Sequence, residues 1–141
     1  MNAYARSADA YLTQRILGAS PEQQAALIME AGQLHLGKAI QALNRNDSSA
    51  ATSSFIRVAE VMKEANLRLN LEDGGELARN LERLYAWWMN EIMLASRAKD
   101  TNRLAAVAQS MGEIRQTWEQ LHEKKAGAAR VSTFQLGDRV G

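Results

Sequence analysis

At 141 residues, with 46% of them hydrophobic and a net charge of +1 from 17 basic and 16 acidic side chains, the chain suits one domain around one core. It lacks the basic surplus of a nucleic-acid binder. It has no cysteine, which excludes thiol catalysis, disulfides and thiolate metal sites and agrees with a reducing cytosol. No run approaches the roughly 18 apolar residues of a membrane span, and the N-terminus shows no basic stretch leading into an apolar one, so the expectation is a soluble protein of the cytosol without membrane insertion.

Residues 1–19 differ in pattern from the rest. Tyr4, Ala8, Tyr11, Leu12, Ile16 and Leu17 form a loosely helical apolar face that Gly18 separates from the first bundle helix. Two readings stand side by side: a short lid that a partner displaces, or a plug over the end of the core. Ser20 is then an N-cap and Pro21, the one proline of the chain, sits where its missing N–H costs nothing. The helix opened there runs to about Leu43 with a seam at Met29, Gly32, Leu36, Ala39 and Leu43. N-R-N-D-S at 44–48 is a polar turn in which Asp47 or Ser48 caps a second helix, with its stripe at Phe55, Val58, Met62, Ala65 and Leu69. The pair Gly74 and Gly75 stops that helix, and Leu77, Leu81, Leu84, Trp88, Ile92 and Ala95 mark a third. K-D-T at 99–101 supplies another turn, with Asp100 or Thr101 as cap, before Leu104, Val107, Met111, Ile114, Trp118 and Leu121. From Glu123 the periodicity dissolves, and a mobile tail is expected over 123–141. Short turns between amphipathic helices of similar length predict an all-α fold, an antiparallel up-down four-helix bundle over residues 20–122.

Catalytic and metal-binding patterns are missing. His35 and His122 are the two histidines and have no E-x-x-H or H-x-x-x-H companion, no serine lies in G-x-S-x-G, and G-G-E-L-A lacks the lysine of a phosphate loop. Glu72, Asp73 and Glu76 flank the start of the third helix, where carboxylates favour the positive end of its dipole. No enzyme, cofactor or metal is expected. What the bundle leaves over is apolar surface: Ile56, Val61, Leu67 and Trp87 fall off the seams, and bundles receive another chain's amphipathic segment through groups so placed.

The string L-N-L-E-D-G-G-E-L-A-R-N-L-E-R-L-Y from Leu69 to Tyr85, followed by A-S-R-A-K-D at 95–100 and by Trp118, resembles the flagellar export chaperones of the FliS type. Ala19-Ser20-Pro21 resembles that family's opening of the first bundle helix, and Ala3-Tyr4-Ala5 its N-terminal tyrosine element. The resemblance implies a cytoplasmic partner, the C-terminal segment of flagellin, disordered as a monomer and held back from polymerising until export. It also implies a flagellar export gate component that receives the complex, and leaves open a homodimer of the free protein. Met29, Tyr85 and Trp87 are implied as contacts, and the segment around Tyr4 is expected to move when flagellin docks. Met29-Glu30-Ala31 stands where the family usually shows an aromatic followed by Asp-Gly. A generic helical adaptor with another partner shares every physical feature and is the alternative.

Overall fold

The computed structural model describes the backbone of residues 18–72 and 74–140 and the side chains of these to residue 128. The N-terminal residues Tyr4, Tyr11, Leu12 and Ile16, and Asp73, lie outside it. Four helices succeed one another: α1 (Pro21–Asn44), α2 (Ser48–Leu67), α3 (Gly75–Ala98) and α4 (Thr101–Val140). No strand occurs among the described residues.

Local chemistry sets the helix ends. At the start of α1 the Ser20 hydroxyl accepts the Gln23 N–H at 3.1 Å while the Gln23 side-chain oxygen accepts the Ser20 N–H at 3.0 Å, a reciprocal capping box. The turns after α1 and α3 share one design. Asn46 (φ 57°) and Lys99 (φ 53°) adopt the left-handed conformation. The next N–H, of Asp47 or Asp100, bonds back to Ala42 or Ala95 at 2.9 Å, closing a Schellman motif. The same aspartates then cap the next helix: Asp47 accepts the Ala50 N–H at 3.1 Å and Asp100 the Arg103 N–H at 3.2 Å. One left-handed residue and one aspartate thus reverse the chain.

The α2–α3 connection uses two glycines differently. The Gly74 N–H bonds to the Asn70 carbonyl at 2.6 Å, so close that a Cβ at Gly74 would strike that oxygen and the Ala78 Cβ. Gly75 has φ +60°, a conformation that costs other residues about 1–2 kcal/mol.

Residues 28–114 form one compact unit and residues 1–27 with 115–141 another. The first holds parts of all four helices. Its core is built from Met29, Leu36 and Ala39 of α1, Val58, Met62 and Ala65 of α2, Ala78, Leu81, Tyr85, Trp88, Ile92 and Ala95 of α3, and Leu104, Val107 and Met111 of α4. No polar or charged side chain is fully buried among the described residues. The hydrogen bond from Trp88 Nε1 to Ser110 Oγ (3.0 Å) and the Glu91–Arg103 ion pair pair later α3 positions with earlier α4 ones, an antiparallel contact. In the second unit Ser20 Oγ lies 2.9 Å from His122 Nδ1, and Lys125 pairs with Glu22, whose carboxyl it holds below the usual range through that hydrogen bond.

Three seam expectations shift. Ala42 is buried where Leu43 was expected, and Leu43 is half-buried. The second stripe ends at Ala65, because α2 stops at Leu67 before reaching Leu69. On α3 the buried stripe is Ala78, Leu81, Tyr85, Trp88, Ile92 and Ala95, with strict three-four spacing. Leu77 is 59% exposed and Leu84 half-buried. Both leucines sit one position off the true seam, whose phase is carried by the smaller Ala78 and by Tyr85. Past Glu123 the backbone stays helical to Val140: K-K-A-G-A-A-R consists mostly of good helix formers, and propensity extends the helix where apolar periodicity has ended.

Candidate partner-binding surface

The residues singled out from sequence separate into three groups. Met29 and Tyr85 are core residues, 2% and 3% exposed. The Tyr85 ring stacks on Trp88 with centroids 5.3 Å apart and planes at 29°, and burial pushes its hydroxyl pKa up to about 12. Neither side chain reaches the surface. Val61 is half-buried on the α1 side of α2, 3.7 Å from where a Cβ on Gly32 would stand. Ile56, Leu67 and Trp87 are 55%, 69% and 53% exposed.

Leu67 belongs to an open groove of about 410 Å³ lined by Ala59, Met62, Lys63, Asn66 and Leu67 of α2 and by Met89 of α3. Ile56 precedes Ala59 by three residues, which puts it on the same face of α2 one turn back. Met93 lies four residues beyond Met89 and extends the α3 wall, again exposed. The groove therefore has an apolar floor containing methionine, which adapts its shape to what it contacts. Lys63 and Asn66 supply one cation and one amide at its rim. Periodicity overlooked Met89, Lys63 and Asn66. Met89 comes directly after the Trp88 seam position and reads as a residue out of phase, but a position about 100° round from the seam is where a helix meets its neighbour's outer edge.

Trp87 does not share this groove. It lies two positions before Met89, about 200° around α3, so it stands on the opposite flank with Leu77, Leu84 and Leu94. α3 thus carries apolar groups on both sides of its buried stripe.

Among the described residues no group of three or more His, Asp or Glu side chains is placed to hold a metal ion, and no helix is long and apolar enough to cross a membrane. In this all-α helical bundle α3 thus borders an open groove on one flank and carries exposed Leu77, Trp87 and Leu94 on the other. The chain belongs to the family described as flagellar protein FliS, whose model matches residues 3–125. Its relatives include the flagellar secretion chaperone FliSB of Pseudomonas aeruginosa, 29% identical over 108 residues, spanning 74% of this chain and 83% of that protein. The flagellar secretion chaperone FliS of Vibrio cholerae serotype O1 is 25% identical over 107 residues, 76% and 79% of the two chains. That of Salmonella typhimurium is 24% identical over 110 residues, 77% and 82%.

Proposed function

We propose that this protein is a flagellar export chaperone that takes the C-terminal segment of flagellin in the cytoplasm, keeps it from polymerising, and passes it as a complex to a component of the flagellar type III export gate. The family match over residues 3–125 carries this reading. The open groove between α2 and α3 supports it: in this reading a disordered segment that folds into an amphipathic helix sets its apolar residues against Ile56, Leu67, Met89 and Met93, with Lys63 at hand for a carboxylate. Coupled folding of this kind buries on the order of 1,000–3,000 Å² and gives up several kcal/mol to ordering, so capture is firm yet reversible. Tyr4, Tyr11, Leu12 and Ile16 belong to the same reading as a segment displaced on docking.

Calorimetry with a flagellin C-terminal peptide tests it. Leu67→Lys and Ile56→Lys change exposed side chains and leave the core intact, and each is expected to weaken binding about tenfold or more, as loss of an apolar anchor does. Tyr4→Ala is expected to change the affinity as well, since the peptide competes with that segment. Unchanged affinity in both groove variants removes the groove as the seat, and a peptide that does not bind the unaltered protein removes flagellin as the partner.

A further inference from the structure

Peroxide meets no thiol in this chain, so methionine is the sulfur it oxidises reversibly. Of the six methionines, Met1 lies outside the described residues. Three others are sealed in the core: Met29, Met62 and Met111 are 2% exposed or less. The Met111 sulfur stands 3.1 Å from where a Cβ on Gly32 would be, packed against the backbone of α1. The remaining two are Met89 and Met93, and both stand on the α3 wall of the groove. Met89 is half-buried and lines it; Met93, 45% exposed, follows four residues on, one turn along the same face. Burial thus divides the methionines into two sets, and the accessible set coincides with the apolar wall of the groove.

Exposure decides which thioether reacts. The sulfur attacks one oxygen of hydrogen peroxide; the O–O bond breaks, an S–O bond forms, and the second oxygen leaves as water with both protons. Sulfur gives up two electrons and peroxide takes them. The product, methionine sulfoxide, carries a strongly polar group on the same side chain, and reductases return it to the thioether. The buried stripe of α3 from Ala78 to Ala95 contains no methionine, so the change costs the fold little. Against an apolar partner it costs more, because the sulfoxide oxygen gives up water for contacts that offer it no hydrogen bond. Lys63 and Asn66 are donors on the opposite, α2 wall; a bond from either to the sulfoxide would span the groove and obstruct it.

We infer that Met89 and Met93 are a reversible oxidation site, where a peroxide turns one wall of the groove polar and thereby loosens the apolar segment held there. The loosening rests on the flagellin reading, whereas the selective oxidation stands without it.

The full chain is treated with dilute hydrogen peroxide, and each methionine sulfoxide is located by tandem mass spectrometry. Met89 and Met93 are expected to gain oxygen at least about tenfold faster than Met29, Met62 and Met111. Circular dichroism should show the helices retained. In calorimetry the oxidised protein should bind a flagellin C-terminal peptide about tenfold more weakly than before treatment, as loss of an apolar anchor does, and methionine sulfoxide reductase should restore the affinity. The variant carrying both Met89→Leu and Met93→Leu is compared with itself before and after peroxide; whatever its starting affinity, treatment should not change it. The inference is overturned if Met89 or Met93 oxidises no faster than the three in the core, or if the oxidised protein binds as before. A loss that the reductase does not repair also overturns it, since the damage then lies in a group other than methionine. A peptide that fails to bind even the untreated protein removes the flagellin reading. The oxidation map then decides alone: selective, repairable oxidation of Met89 and Met93 upholds the site, and its absence overturns it.

Discussion

Trp87 and Trp88 are neighbours in sequence and opposites in environment, and the pair shows how one step around a helix decides a residue's role. Trp88 is fully buried, stacks on Tyr85 and donates its indole N–H to Ser110; Trp87 is more than half exposed. Removing a buried tryptophan costs the transfer term and leaves a cavity, so Trp88→Ala is expected to destabilise the protein by about 3–5 kcal/mol. Trp87→Ala should stay within about 0.5 kcal/mol, as surface changes do. Urea unfolding measures both. Equal losses would show that Trp87 is covered within its own chain. The sequence assigns these two residues correctly because Trp88 keeps step with Leu81, Ile92 and Ala95 while Trp87 does not. Tyr85 is harder to place: the family resemblance offers it as a contact, yet it sits in the same buried stripe, and a leucine beside it at Leu84 competes for the phase.

The turns are the elements most directly written in the sequence. Asp47 and Asp100 are good caps on sight, and Gly74-Gly75 marks a stop; the structure adds the geometry that makes each necessary. Sequence does not reveal that Lys99 is held left-handed, because lysine has no preference for that region and only the closing bonds to Ala95 and Ser96 put it there. That conformation carries a strain which glycine does not. Lys99→Gly is therefore expected to raise stability by up to about 1 kcal/mol despite glycine's larger unfolded-state entropy. Gly75→Ala, at φ +60°, should lower it by about 1 kcal/mol or more. Thermal unfolding of the two variants reads opposite signs, and a loss from Lys99→Gly would mean the lysine side chain contributes more than its backbone strain costs. Helix starts and core stripes are thus legible from short-range chemistry. The groove is not, since Met62, Leu67 and Met89 converge only once α2 and α3 lie side by side.

Within the unit of residues 28–114 the groove and the exposed Trp87 lie on opposite flanks of one helix, and this arrangement limits what a partner in the groove can touch. In the proposed reading a partner segment in the α2–α3 groove meets Met89 and Met93, whereas Leu77, Trp87 and Leu94 lie exposed on the other flank. With about 200° around α3 between Met89 and Trp87, a segment confined to the groove does not reach the Trp87 indole. Trp87→Ala should therefore leave the affinity for a flagellin C-terminal peptide within about threefold of the original, while Leu67→Lys lowers it about tenfold or more. Calorimetry reads both affinities. A loss from Trp87→Ala as large as that from Leu67→Lys would show the segment extending past the groove onto the Trp87 flank, where its apolar groups would cover the exposed indole.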